Sequence, residues 1–195
     1  MNLWPYIDEH RVKVADFLTT LAPDEWDRPS LCDGWTIRHV AGHLTMQQTG
    51  LSEIPALLGA MVKARGNLNR AIRDSARDRS RQPTEQLIAS IRGMVGSTKH
   101  NIGVTPQETL IDILVHSQDI AVPLGRSLPL NPEAATIAAQ RVWAIRYFKA
   151  QQRFEGFRLI ATDVDFAVGT GQEVKAPIDQ LLLRLTGRPA DTPPR

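Results

Sequence analysis

The stretch that decides the fold is TPQETLIDILVHSQDIAVPL, residues 105–124. It is apolar around most of its circumference and begins with a helix start, because Thr105 can cap the helix and Pro106 suits its first turn. Its polar side chains are spaced by four, four and three residues: Glu108, Asp112, His116 and Asp119. Residues at those spacings share one face of an α-helix. The sequence therefore predicts a long helix, apolar on most sides, that carries one narrow polar stripe.

Two residues of this stripe are candidate ligands of a divalent metal. Asp112 and His116 can direct one carboxylate oxygen and one imidazole nitrogen at a common atom. A third candidate, His43, comes from WTIRHVAGHL, residues 35–44, on a different predicted helix. The alternative is an amphipathic helix whose stripe faces water, because carboxylate and histidine four residues apart are common on exposed faces.

The helix predicted for residues 36–49 carries two histidines, His39 and His43. At about 100° per residue, His43 lies roughly 100° from the apolar centre of that helix and His39 roughly 145° away. We therefore expect His43 to turn into the bundle and His39 to lie outside the coordination shell. A site built on the pair His39 and His43, four residues apart, is the alternative.

The remaining histidines have no partner at ligand spacing, and the single cysteine is a candidate nucleophile, a candidate ligand or a structural thiol. We expect His10 and His100 to be surface residues and Cys32 to be a small buried thiol where a loop meets a helix. If the intervening segment were helical throughout, Cys32 would lie roughly 16 Å from His43. It would then be poorly placed to complete a metal's coordination shell.

Prolines and glycines divide the chain into helices followed by a short β segment. Further helices are predicted near residues 5–22, 52–80 with a break at Gly66, 84–98 and 131–150, and a last one at 178–185. FRLIATDVDFAV, residues 157–168, indicates one or two strands before a turn at 169–171. The fold class is thus mainly α, a four-helix bundle with a short αβ C-terminal element. The predicted divisions are a metal-binding helical bundle over 1–152, the αβ element over 153–190 and a disordered tail over 191–195.

Composition narrows the classes of function. The 195 residues are 42% hydrophobic, and 23 basic against 21 acidic side chains give a net charge of +2, so no global field favours nucleic acid. Six arginines lie within residues 65–81, which indicates a solvated helix face or a patch for an anionic ligand. That stretch contains no aromatic residue for base stacking.

Cysteine usage and hydropathy indicate the compartment. A single cysteine excludes an internal disulfide and fits a reducing cytoplasm. No run approaches the ~20 apolar residues of a membrane span. We expect a cytoplasmic protein that binds small molecules rather than nucleic acid or membranes, and a homodimer is one option for its oligomeric state.

Two motifs together resemble the mycothiol-dependent maleylpyruvate isomerase family of actinobacteria, within the DinB-like superfamily. They are LCDGWTIRHVAGHL, residues 31–44, and DILVHSQDIA, residues 112–121. The first motif is matched by Leu31, Cys32, Gly34, Trp35, Thr36, His43 and Leu44, and the second by Asp112, His116 and Asp119. The segment LLLRLTGR, residues 181–188, also looks like the end of many members.

The resemblance implies a DinB-like four-helix bundle in which His43, Asp112 and His116 bind a divalent metal. Zinc is favoured, and nickel, iron or manganese would accept the same ligands. It also implies a thiol cosubstrate, mycothiol, and an isomerase or S-transferase acting on a small electrophile. By its spacing, Asp119 lies one turn from His116 and could orient that imidazole; the alternative is an aspartate on the helix surface.

Three features of the chain, two residues and one segment, depart from the family pattern. Asp112 stands where the isomerase would carry glutamate, His39 stands where aspartate is frequent, and the C-terminal part is shorter. Arg184 and Arg188 are candidates to meet a substrate carboxylate, or are surface charges. The rival interpretation of the whole chain is a metal-binding helical module without catalysis.

Overall fold

The computed structural model describes residues 1–48 and 54–188 and confirms the mainly α fold class. Its helices are α1 (Trp4–Thr19), α2 (Ile37–Leu44), α3 (Ile54–Lys63), α4 (Leu68–Arg79), α5 (Thr84–Arg92), α6 (Pro106–Ala121), α7 (Pro132–Ala144), α8 (Ala150–Arg153) and α9 (Ile178–Leu185). Its strands are β1 (Phe157–Ala161), β2 (Ala167–Gly169) and β3 (Gln172–Ala176). Short 3-10 turns occupy Glu25–Asp27, Val122–Leu124 and Arg146–Phe148.

Helix α6 is the central element of the bundle. Thr105 caps this helix as predicted, since its side chain accepts from the Gln107 backbone N–H. The Glu108 side chain accepts in turn from the Thr105 backbone N–H, which completes a capping box. Helices α1, α2 and α7 pack against it, and α9 touches it from the C-terminal part of the chain. Most residues of α6 are buried, as expected for a helix that is apolar on most sides.

The C-terminal element is a three-stranded sheet of order β2-β1-β3, followed by α9. Strand β1 pairs antiparallel with β2 and parallel with β3, with Leu159 opposite Val168 and Val174. Helix α9 packs on α7, so one cluster of buried apolar side chains runs from the bundle into this element. The division predicted at residue 152 falls inside α8 and stays a prediction.

Several predicted helix ends differ from the structure. Helix α2 ends at Leu44 and turns through residue 48, α5 ends at Arg92, and α7 ends where Ile145 takes an extended conformation. In the second case Gly93 directly follows the last helical residue, and the turn after it closes at Gly96, which adopts a φ of 80°. The start of the helix predicted at residue 52 and the tail over 191–195 lie outside the described residues.

Strand β3 was not predicted from the sequence. Its residues QEVKA are mostly exposed at the edge of the sheet and lack a clear apolar alternation. Within the part of the chain that the structure describes, no helix combines the length and apolar character that a membrane span requires.

The crossing of α2 and α4 is close because of Gly42. A Cβ built at this position would lie 2.7 Å from the Ala76 carbonyl oxygen and 2.9 Å from the Ser80 backbone nitrogen. We expect Gly42→Ala to lower the free energy of unfolding by about 2 kcal/mol, because overpacked backbone must move apart. Gly59→Ala is the matched control, since a Cβ there meets nothing within 4 Å. In urea denaturation the control should be neutral or stabilising, and equal losses in both variants would contradict this interpretation.

The expectation that His10 is a surface residue is wrong. His10 is 1% exposed, and its Nε2 lies 2.7 Å from the Ser117 hydroxyl of α6. Ser117 Oγ donates to the Leu114 carbonyl, so the imidazole N–H donates to Ser117. Burial, aided by Lys13, lowers the pKa of His10 from 6.5 to about 4. His100 is exposed as predicted and stacks on Trp4.

This buried imidazole should make the protein sensitive to acid. Between pH 6.5 and about 4 the unfolded chain binds a proton at His10 that the native state excludes, so the free energy of unfolding falls as the pH falls through that window. Between pH 7 and pH 4.5 the wild type should lose roughly 2–3 kcal/mol more than His10→Gln. Urea denaturation at both pH values measures this difference. His100→Gln should behave like the wild type, and an equal acid loss in His10→Gln would refute the prediction.

Candidate metal centre

Helices α2 and α6 pack against each other and bring His43 and His116 together, as a metal site shared by the two helices requires. Their ring centroids are 4.7 Å apart, well within the ~10 Å that a shared metal allows. Between them lies Asp112, whose Oδ1 is 3.1 Å from His43 Nε2 and 3.4 Å from His116 Nε2. The donor atoms of these three residues lie within 4.8 Å of one another.

The two neighbouring histidines determine the ionisation of Asp112. Burial raises the pKa of Asp112, but the two histidines outweigh it and hold that pKa well below its usual range. The second carboxylate oxygen accepts a hydrogen bond from Gln47 Nε2 at 2.8 Å. The carboxylate is therefore anionic, with one oxygen directed at the histidines.

His116 is held from its other side by Asp119. The Nδ1 of His116 donates to Asp119 Oδ2 at 2.8 Å, which leaves Nε2 as the nitrogen facing Asp112. Burial lowers the pKa of His116, but Asp112 and Asp119 raise it well above its usual value. An imidazole anchored through one nitrogen and presenting the other is the arrangement that metal-bound histidines generally show.

Asp119 itself is fully buried and forms an ion pair with a second charged residue besides His116. Arg188, just after α9, donates to both of its oxygens, from Nε at 3.0 Å and from Nη2 at 2.8 Å. Burial raises the pKa of Asp119, but His116 and Arg188 together hold it far below its usual value. The Arg188 guanidinium is thus engaged by a protein carboxylate behind His116.

Cys32 lies beside the candidate ligand His116, which corrects the expectation, drawn from its distance to His43, that it is remote from the site. Its Sγ is 3.0 Å from Asp119 Oδ2 and 3.6 Å from His116 Nδ1. The physical reason is that residues 31–35 form a turn rather than helix, closed by the Trp35 N–H on the Cys32 carbonyl. Leu31 N–H binds the Asp119 carbonyl, which ties this turn to α6. Cys32 contacts the side of His116 that faces away from Asp112.

His39 and Glu108 have other roles. His39 Nδ1 accepts from the Thr36 backbone N–H at 3.0 Å, in the cap of α2. Glu108 accepts from Arg141 Nε at 2.8 Å besides capping α6. Among the described residues neither belongs to a group of three potential metal-binding side chains.

The ion pairs described for the arginine-rich segment join it to aspartates of its own surface rather than to His43, Asp112 or His116. Helix α4 is largely solvated, with surface ion pairs such as Arg70 to Asp74 and Arg81 to Asp78. The Nε of Arg184 is buried without a hydrogen-bond partner in the described part of the chain. These observations agree with a solvated face for residues 65–81.

Sequence reasoning missed Gln47 and the pairing of Arg188 with Asp119. Gln47 follows His43 by four residues, so its spacing placed it on the side of the helix predicted for residues 36–49 that carries His43. No local pattern joins residues 119 and 188, which meet only because α9 packs on the bundle.

Comparison with known proteins identifies the family. The model of the mycothiol maleylpyruvate isomerase N-terminal domain matches residues 7–111, more than half of the chain. The chain belongs to this family. The match contains His43 and ends one residue before Asp112. No curated protein sequence matches the chain significantly.

Two solved structures share the fold of this family member. One is the mycothiol-dependent maleylpyruvate isomerase, with a TM-score of 0.56 and 15% identity. The other is a histidine-to-alanine mutant of the mycothiol-dependent maleylpyruvate isomerase, with a TM-score of 0.59 and 14% identity. Each alignment covers 98% of this chain and 91% of the neighbour. The C-terminal part of this chain was expected to be shorter, yet only a small part of each neighbour has no counterpart in it.

The donor set of this family member fits a divalent metal. Ligand atoms of a tetrahedral ion at about 2.0–2.1 Å lie roughly 3.3 Å apart. The two nitrogen–oxygen distances of 3.1 and 3.4 Å bracket that value. The Nδ1 of His43 is buried and has no hydrogen-bond partner within the described residues, so His43 lacks the anchor that Asp119 gives His116. Two imidazoles and one carboxylate suit zinc and leave a coordination position for an exchangeable ligand.

Proposed function

We propose that this protein is a metal-dependent enzyme that uses a low-molecular-weight thiol, mycothiol, on a small electrophilic substrate. The metal ligands would be His43, Asp112 and His116, with zinc favoured over nickel, iron or manganese. The family match and the two isomerase neighbours support thiol-dependent isomerisation. Transfer of the thiol to an electrophile is the second outcome of the same chemistry. The bundle over residues 1–152 would hold the metal, and a cytoplasmic location and a possible homodimer stay predictions.

The observation that carries the proposal is the convergence of two histidine Nε2 atoms on one oxygen of Asp112. The lone pairs of these nitrogen and oxygen atoms would repel one another at such short distances unless a proton or a cation lay between them. A divalent cation would satisfy all three donors at once. The metal, when bound, would favour the thiolate form of a thiol at its open position.

The residues of the chain would prepare that position. Asp119 keeps the Nδ1 proton of His116, so Nε2 can present its lone pair. Arg188 holds Asp119 in turn through two hydrogen bonds, which fixes the imidazole plane. Trp35 packs edge-on against the His43 ring at a centroid distance of 5.6 Å and restricts its rotation.

A thiolate at this site would serve two reactions. It can add to an activated double bond, permit rotation and leave again, which gives cis–trans isomerisation. It can also displace a leaving group, which gives a thioether product. The metal site is the same in both, and the surrounding pocket would decide which electrophile enters.

Turnover assays test the proposal. Zinc-loaded protein is mixed with maleylpyruvate, or with a panel of alkylating electrophiles, in the presence and absence of mycothiol. We expect conversion only with mycothiol present, as isomer in the first case or thioether in the second. Metal-loaded protein that converts neither class would overturn the proposal and favour a metal-binding module without catalysis.

A further inference from the structure

Gln47 lies in the turn that follows α2 and is 5% exposed. Its side-chain Nε2 donates to Asp112 Oδ2 at 2.8 Å. The other oxygen of that carboxylate is the one that faces His43 and His116. The Gln47 amide therefore contacts the Asp112 carboxylate on the oxygen that faces away from the two histidines.

The orientation of this amide is fixed by charge. Only its NH₂ group can donate to a carboxylate, so the Gln47 carbonyl oxygen must point away from Asp112. That oxygen is buried and has no hydrogen-bond partner within the described residues. A buried unpaired acceptor costs free energy, so this amide is a poor choice for stability alone.

We propose that Gln47 is a positioning residue that aims the Asp112 carboxylate at the metal, an inference that rests on the metal site proposed above. By occupying Oδ2, the amide stops rotation of the carboxylate and leaves Oδ1 directed at the two imidazole nitrogens. Hydrogen-bonded partners behind a ligating carboxylate orient it, and their loss weakens metal affinity. Aspartate, with one flexible methylene, defines its direction less well without such a partner.

The test replaces the amide by an apolar side chain of similar length, Gln47→Met. Gln48→Met is the matched control, because Gln48 is the next residue and its Nε2 contacts only the Met94 carbonyl, at 3.4 Å, among the contacts described. Zinc affinity is measured by competition with a chromophoric chelator, and the unfolding midpoint is measured on metal-free protein. We expect Gln47→Met to bind zinc roughly 10- to 100-fold more weakly. Its unfolding midpoint should change little, because the lost hydrogen bond to Asp112 is opposed by removal of the unpaired buried acceptor. Gln48→Met should bind like the wild type.

A cobalt-loaded sample adds a spectroscopic check. The visible absorption of Co²⁺ depends on the geometry of its ligands, so we expect the spectrum of Gln47→Met to change and that of Gln48→Met to match the wild type. Wild-type zinc affinity in Gln47→Met would overturn the inference while leaving the metal site in place. If the variant binds zinc more weakly and its metal-free form also loses as much free energy of unfolding as it loses free energy of binding, the role of Gln47 is structural. That result would also overturn the inference. If the wild type fails to bind zinc or cobalt, both the inference and the proposed function fall.

Discussion

His116→Ala is expected to abolish the binding of a divalent metal at the proposed site. His116 offers one of the three donors and is the imidazole that Asp119 anchors, so two donors on different helices remain. The loss of zinc affinity should exceed the roughly 10- to 100-fold cost typical of removing an outer partner. The fold should persist, because Arg188 still neutralises Asp119. Metal content after exhaustive dialysis, measured by elemental analysis, reports the result.

His39→Ala is the matched control on α2. Its imidazole serves the helix cap and faces Thr36, so this variant should retain most of its metal. If the His39 variant loses its metal and the His116 variant keeps it, the pair His39 and His43 is the site. That result would contradict the ligand assignment.

Asp119→Ala is expected to destabilise the protein more than any surface substitution. Asp119 is fully buried, and its removal leaves the Arg188 guanidinium, 17% exposed, without its carboxylate. Breaking a buried pair from one side costs about 3–5 kcal/mol, because the remaining charge stays desolvated. Urea denaturation of the metal-free protein measures the loss directly.

An exposed ion pair provides the comparison. Arg92 and Asp16 are 2.6 Å apart, with half of each side chain in solvent, so Asp16→Ala should cost at most about 1 kcal/mol. The double variant Asp119→Leu with Arg188→Met should recover part of the loss, since no unpaired charge is left. The interpretation would be wrong if Asp119→Ala were no more damaging than Asp16→Ala.

The sequence predicted the helices well where a capping motif marks the first turn and the spacing of polar residues marks the polar face. The capping box at Thr105 and the stripe on α6 are both visible in the sequence, and both exist in the structure. His10 shows a signal that was present and overlooked. It stands three residues after Ile7 and four before Val14, both fully buried, so the apolar face of α1 contains it.

Contacts between distant segments could not be predicted in the same way. The position of Cys32 depends on a turn whose hydrogen bonds reach α6, and the partner of Asp119 comes from residue 188. Neither contact leaves a periodic signal in the sequence. The first arises when the turn at residues 31–35 packs on α6, and the second when the C-terminal element packs on the bundle. Strand β3 was missed for a related reason, because an exposed edge strand needs no apolar face.

The central claim is that His43, Asp112 and His116 hold a metal whose remaining position is open to a thiol. X-ray absorption at the zinc edge tests it most directly, on wild type and on Cys32→Ser, before and after addition of mycothiol. We predict nitrogen and oxygen donors alone at about 2.0–2.1 Å in the thiol-free protein, and one added sulfur near 2.3 Å with mycothiol, in both proteins. A sulfur in the thiol-free wild type that vanishes in Cys32→Ser would show a shell closed by the protein and would contradict the claim. Absence of a new sulfur with mycothiol would contradict it equally.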